Sequence, residues 1–358
     1  MNELPGEMRA AVLYGKEDLR VERVPLPELQ PGEMLLQIGA ALTCGTDLKV
    51  FRRGYHAAML KPPCLFGHEC AGTVVANRVG LGGAGLRARP GAPLFNLGDR
   101  VVVANSAPCG SCYWCQRAQE NLCEDLQFLN GAYAEYLRVP ARFVERNAYL
   151  VPAGLSFEEA AMTEPLACVV HGLEETAPKS GERVAVLGLG PIGLMFVALL
   201  KARGYEVVGV GRHAPRLELA RKLGAHEVLE ADAENKWLDS LKAAGKLDVV
   251  IEATGLPDVW RQALDLVRRG GRVNLFGGCP EGSCVQLATR RLHYDQLTIL
   301  SSFHHRPADI QAALQAIATG VIKPREFISE EKTLEELPAL FKEMLSSKRQ
   351  VKALIRPA

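Results

Sequence analysis

The chain has 358 residues, 48% of them hydrophobic, with 42 basic and 41 acidic side chains for a net charge of +1. That length exceeds most single cores and implies two domains, while balanced charge without a basic face or charge run excludes nucleic acid as an expected partner. No basic segment followed by an apolar one opens the chain, and its longest apolar helical run, near residues 192–200, is too short for a membrane span, so a cytoplasmic protein with its ten cysteines reduced is expected.

Residues 8–150 read as β-rich. Short apolar runs at 8–14, 34–41, 70–75 and 100–104 are predicted strands, with Pro25, Pro27, Pro31 and Gly32 as turn punctuation. Gly98-Asp99 is a turn feeding the run from Arg100, and residues 131–139 alternate well enough for another strand. Residues 80–93, rich in Gly, Ala, Pro and Arg, read as a surface loop or insertion.

Within this half, Cys109, Cys112, Cys115 and Cys123 are separated by two, two and seven residues. Four soft thiolates at such spacing can wrap a tetrahedral zinc and leave no open position, so the site is structural and pins a lobe at about 105–125. Unrelated cysteines or two disulfides are the plainer alternatives.

The character changes near residue 156. Ser156 followed by Glu159 is a capping box, and a helix is predicted from there toward Thr176. Beyond it, strand, glycine turn and helix alternate: 183–187, 192–203, 206–209, 216–223, 248–251, 260–267 and 272–276. Such alternation means a parallel, doubly wound sheet. Two amphipathic helices near 310–318 and 334–346 follow, and the run from Val351 is a candidate strand returning to the first domain.

Gly188, Gly190 and Gly193 form a GxGxxG pattern between a predicted strand and helix, the context that dinucleotide binding requires. Gly188 permits the tight turn, Gly190 lets backbone approach a pyrophosphate, and Gly193 lets helix and strand pack closely. Pro191 and Ile192 open the helix, whose N-terminal amides favour phosphate. The second strand of this fold ends in an acid when the cofactor is NAD. Here it ends Gly211-Arg212-His213, with no acid, and Arg212 and Arg216 are candidates to bind a 2′-phosphate. This points to NADP; the alternative is a solvated basic loop in an enzyme that uses NAD. Thr254 and Gly277 follow later strands, where cofactor contacts are expected, although such glycines also occur in plain loops.

Cys44, His68, Glu69 and Glu164 are dispersed. Thiolate, imidazole and carboxylate suit a catalytic zinc with one position left open, but spacing alone does not join them, and a free Cys is usually a small buried hydrophobe.

The motifs Cys44-Gly-Thr-Asp47, Phe66-Gly-His-Glu-Cys-Ala-Gly72, the four-cysteine run, Thr163-Glu-Pro-Leu-Ala167 and Gly188-Leu-Gly-Pro-Ile-Gly193 occur in one order. That order, over nearly the whole chain, resembles the zinc-dependent medium-chain dehydrogenases, and the Glu-Pro-Leu segment is most similar to their polyol and threonine dehydrogenase branch. The resemblance implies an α/β protein: a GroES-like β-barrel catalytic domain (1–155 and 300–358) plus a Rossmann doubly wound parallel sheet (156–299), with the active site in the cleft between them. It implies two zinc ions. Cys44 and His68 ligate the catalytic one, with Glu69 and Glu164 binding directly or through water. Thr46 matches the hydroxyl beside the substrate oxygen, and Asp47 the carboxylate that orients the ligating histidine. Many relatives carry a proton-relaying histidine where this chain has Lys49.

The implied reaction is oxidation of a secondary alcohol of a polyol, cyclitol or sugar alcohol, with hydride passing to nicotinamide. Threonine or a simple secondary alcohol is the alternative substrate. A catalytically silent zinc- and nucleotide-binding regulatory protein is the alternative of another class, and the quinone reductase type, which lacks both zinc sets, is a third. A homotetramer, then a homodimer, is the implied assembly. His304, His305 and Arg306 are candidate substrate or phosphate contacts, against a polar interface loop.

Overall fold

The computed structural model describes residues 4–56, 59–79, 95–243, 245–347 and 351–357; the stretch 80–93, read above as a loop, lies outside them. The chain divides into two compact units, Met1–Ala167 with His305–Ala358, and Cys168–His304.

In the first unit a sheet runs in the order Ala148–Leu150, Arg100–Val103, Glu69–Asn77, Met34–Leu42, Lys352–Arg356, Ile328–Thr333, with Tyr136–Val139 also paired to Met34–Leu42. A smaller sheet joins Asp18–Pro25, Glu7–Gly15 and Cys64–Leu65. The strand at Met34–Leu42 is almost wholly apolar because both its faces are covered. Its register places Leu42 opposite Glu69, and Ala41 and Leu42 opposite Ile355 and Leu354. Glu69 and the start of the last strand therefore flank the segment that leads into Cys44. Phe51, Phe66, Tyr133 and Phe341 fill the core beneath, with ring centroids 5.4–6.1 Å apart and mostly edge-on, the geometry that aromatic quadrupoles favour.

Two expectations shift. The strand predicted over 131–139 begins only at Tyr136. Gly131 and Ala132 donate to the Gly67 carbonyl and Tyr133 to the Phe66 carbonyl, so these amides leave the ladder. The helix predicted from Ser156 toward Thr176 is two helices, Phe157–Ala161 and Thr163–Thr176. Pro165 supplies the reason. It has no N–H to donate and its ring crowds a preceding helical turn, whereas the first turn of a new helix accepts it. Ser156 does form the capping box with Glu159.

The second unit holds a six-stranded, wholly parallel sheet, ordered Glu227–Glu230, Glu206–Gly211, Arg183–Leu187, Leu247–Glu252, Val267–Leu275, Thr298–Leu300. In chain order this is 3-2-1-4-5-6, the doubly wound arrangement, and the order reverses beside Arg183–Leu187. Helices bury its central strands, so Val-Ala-Val-Leu and Val-Val-Ile run unbroken.

Candidate active site

Cys44 caps the helix Gly45–Arg53 in extended backbone, and the Thr46 amide donates to its sulfur at 3.4 Å. The cap leaves Thr46 half-buried and Asp47 buried in the first turn, with Lys49 exposed. Across the sheet end, Thr43 is held by the last strand: its amide donates to the Ala353 carbonyl at 3.0 Å, and its hydroxyl accepts from the Ala353 amide at 2.9 Å. His68 and Glu69 enter at the start of the neighbouring strand, both buried.

These local geometries bring ligating atoms of Cys44, His68 and Glu69 within 4.8 Å of one another. His68 Nδ1 lies 2.8 Å from Asp47 Oδ1. A carboxylate only accepts, so Nδ1 carries a hydrogen, and Nε2 is the ring nitrogen left to face a metal. Burial would lower the His68 pKa, but the charges of Asp47 and Cys44 hold it well above its ordinary value. Glu69 gives one oxygen to Lys352, whose ammonium also donates to the Thr43 carbonyl at 2.7 Å. Burial raises the Glu69 pKa and Lys352 opposes it; burial lowers that of Lys352, but Glu69 holds it above its ordinary value. The other Glu69 oxygen is buried without a hydrogen-bond partner.

A buried oxygen of that kind is costly unless something fills the place. A cysteine sulfur, an imidazole nitrogen and an orphaned carboxylate oxygen form the mixed N, O and S donor set of an open, three-ligand zinc site. The residues therefore fit such an ion. Glu164, in the first turn of its helix, is not part of the 4.8 Å group. It is buried 3.6 Å from His305, itself 3.0 Å from Asn105 Oδ1. Burial pushes Glu164 up to about 7, with His68 pulling the other way. Arg306 commits its guanidinium to Asp309, at 2.8 and 3.0 Å, and helps cap the helix Pro307–Ala318. A phosphate at Arg306 would have to displace that carboxylate.

The four other cysteines also form a group within 4.8 Å. Sulfur–sulfur separations of 3.5, 3.9 and 3.9 Å are far beyond a disulfide bond of about 2.05 Å, and match the roughly 3.8 Å edge of a tetrahedron with 2.3 Å zinc–sulfur bonds. All four are free, which removes the disulfide alternative. Burial works against the Cys109 thiolate, but amides of Ser111 and Cys112 at 3.4 and 3.3 Å help draw its pKa down to about 6.

In the second unit Gly188 adopts φ +103°, and a Cβ there would meet the Thr254 methyl at 2.5 Å. A Cβ on Gly193 would lie 1.8 Å from the Gly188 carbonyl oxygen, so that close approach requires glycine. Gly190 has open space where its Cβ would be, and caps the helix Pro191–Ala202 without any side-chain acceptor. Ile192 follows in the first turn. Arg212 is exposed and Arg216 half-buried. Gly211 packs against Leu189, and Gly277 against the Gly255 amide, so both have a packing reason to be glycine. Thr254 is drawn in by buried Glu252, which accepts from its amide at 2.6 Å and from the Gly255 amide at 3.1 Å.

Sequence reasoning missed Lys352, Tyr133 and Glu252. Lys352 had a signal: a lone lysine inside an apolar run is rarely buried unless paired.

A GroES-like sheet unit with a mixed-ligand cluster, together with a Rossmann sheet carrying its glycine turn, defines the class of metal-dependent, nicotinamide-linked alcohol dehydrogenases. Residues 30–149 match the alcohol dehydrogenase GroES-like domain and residues 191–319 the zinc-binding dehydrogenase domain. Sorbitol dehydrogenase of Bacillus subtilis (strain 168) is 30% identical over 99% of this chain and 98% of its own. L-threonine 3-dehydrogenase of Bacillus licheniformis is 32% identical over 83% of each chain. The structure of a zinc-binding dehydrogenase from Sinorhizobium meliloti 1021 bound to NADP superposes with a TM-score of 0.86 at 29% identity, over 99% of this chain and 100% of that one. The chain belongs to the zinc-dependent medium-chain dehydrogenases. Its substrate is accordingly a small-molecule alcohol, and among the described residues no helix is long and apolar enough to cross a membrane.

Proposed function

We propose that this chain oxidises a secondary alcohol of a polyol, cyclitol or sugar alcohol, with NADP preferred over NAD, and that it holds one catalytic and one structural zinc. The observation that carries this reading is the cluster of Cys44, His68 and Glu69 with its orphaned carboxylate oxygen. Cys44 and His68 hold the catalytic ion, and Glu69 or Glu164 completes the set. Bound there, zinc supplies Lewis acidity that brings an alcohol pKa toward neutrality. Asp47 keeps the proton on His68 Nδ1. Thr46, in the first helical turn, would take the substrate proton on its hydroxyl oxygen while handing on its own hydroxyl proton, and exposed Lys49 leaves that proton's further passage to water. Cys109, Cys112, Cys115 and Cys123 hold the structural ion. The open backbone at Gly190 receives the pyrophosphate, and Arg212 and Arg216 meet the 2′-phosphate. The absence of an acid after Gly211 supports NADP, as does the NADP bound to the Sinorhizobium protein. A cytoplasmic homo-oligomer, tetramer before dimer, completes the proposal.

The test is initial nicotinamide reduction by zinc-loaded protein, crossing NAD and NADP with polyols, cyclitols, threonine and simple secondary alcohols. Turnover of a polyol or cyclitol with NADP is expected, and Cys44→Ser should abolish it while cofactor still binds. Turnover of threonine alone would select the second reading, which the threonine dehydrogenase relative favours. Silence across the panel, with zinc and NADP bound, would leave the non-catalytic reading.

A further inference from the structure

Tyr133 is wholly buried, with 0% of its surface exposed. Its hydroxyl stands 2.6 Å from Asp47 Oδ2 and 3.1 Å from the Leu42 carbonyl. One hydroxyl donates one hydrogen, and the shorter, charge-assisted contact takes it. Asp47 thereby spends one oxygen on Tyr133 and the other on His68 Nδ1, 2.8 Å away. Burial, then the Asp47 charge, pushes the Tyr133 phenol well above its ordinary pKa, so the donor stays protonated.

The ring has little freedom to move. Phe66 and Phe341 stand edge-on, at 5.9 and 6.1 Å. Gly67 takes φ +86°, and a Cβ there would fall 2.6 Å from the ring. The Tyr133 amide donates to the Phe66 carbonyl at 2.9 Å. The tyrosine is thus fastened to the same segment that carries His68. Packing alone would be met by phenylalanine; the hydroxyl has its use at Asp47.

We propose that Tyr133 is a positioning residue for the catalytic zinc, fixing the Asp47 carboxylate that orients His68. This rests on the zinc assignment made above. Loss of a hydrogen bond that orients a metal-ligating histidine typically costs 10–100-fold in metal affinity. The test is chelator competition on the zinc-loaded protein, with zinc at the four-cysteine lobe as an internal reference. Tyr133→Phe should weaken one zinc by about tenfold, leave the other unchanged and shift the visible spectrum of the cobalt-substituted protein. Asp47→Asn should weaken the same zinc, and the double variant should lose no more than the worse single one, because both act through one contact. Unchanged affinity and cobalt spectrum in Tyr133→Phe, or additive losses in the double variant, would overturn the inference and leave Tyr133 as core packing. Failure of Tyr133→Phe to fold with zinc present would overturn it too, since the hydroxyl would then serve the core. Retention of both zincs by Cys44→Ser would instead defeat the assignment on which it rests.

Discussion

Glu69 and Glu164 are two buried carboxylates in similar surroundings, yet a different group answers each. Glu69 has an ammonium in contact, so removing Lys352 would strand a charge, a change that costs about 3–5 kcal/mol for buried pairs generally. Glu164 has His305 at 3.6 Å, and burial carries its pKa from 4.5 to about 7. The sign follows. The folded chain holds this proton more tightly than the unfolded one, so metal-free protein is favoured below pH 4.5 and loses stability as pH rises to about 7. The full shift is worth about 3 kcal/mol. Glu164→Gln should remove most of that slope, as read by denaturant unfolding at a series of pH values without zinc. An unaltered slope would mean that Glu164 is already ionised near pH 5. Neither environment was legible locally. Lys352 lies 283 positions from Glu69, and Tyr133 lies 86 from Asp47, so no window of sequence shows the partner. The proposed ligands themselves are joined by the order of family motifs rather than by spacing.

At the scale of elements, the inner strands of the parallel sheet were readable because burial on both faces leaves unbroken Val and Ile runs. Its edge strands, Glu227–Glu230 and Thr298–Leu300, are half-exposed and mixed in composition, and they left no such mark. The irregular start of the segment at 131 and the break at Met162 differ from expectation for two reasons: the 131–133 amides turn to the distant Gly67 and Phe66 carbonyls, whereas Pro165 divides the helix locally because it has no N–H to donate. The capping box and the cysteine knuckle offer a graded test. Ser156→Ala removes one helix cap and should cost about 1 kcal/mol. Cys112→Ser removes one of four sulfurs and should lower the melting temperature further, with one zinc lost per chain by elemental analysis. Equal melting temperatures for Cys112→Ser and the parent would sink the structural role of that lobe.

At the scale of the whole molecule, the proposed preference for NADP rests on the end of the second parallel strand. Gly211→Asp is a confounded probe, because a Cβ there would lie 2.7 Å from Leu189 Cβ. Replacing Arg212 and Arg216 together by alanine is cleaner. It should raise KM for NADP by about tenfold, roughly 1.4 kcal/mol, with KM for NAD nearly unchanged; equal effects on both would point to lost packing. The discontinuous first unit carries a further consequence, one of timing. Its two segments, Met1–Ala167 and His305–Ala358, are synthesised on either side of the contiguous Cys168–His304 unit. The ribosome therefore delivers Cys44, His68 and Glu69 long before the strand that brings Lys352. During that interval a thiol, an imidazole and an uncompensated carboxylate wait in an unfinished sheet, while the later unit already has all of its own chain. Stalled nascent chains ending at Lys342, long enough for His304 to clear the exit tunnel but short of Lys352, should show Cys168–His304 resisting protease and residues 4–167 still being cut. Protection of both segments would mean that the sheet closes without its last strand.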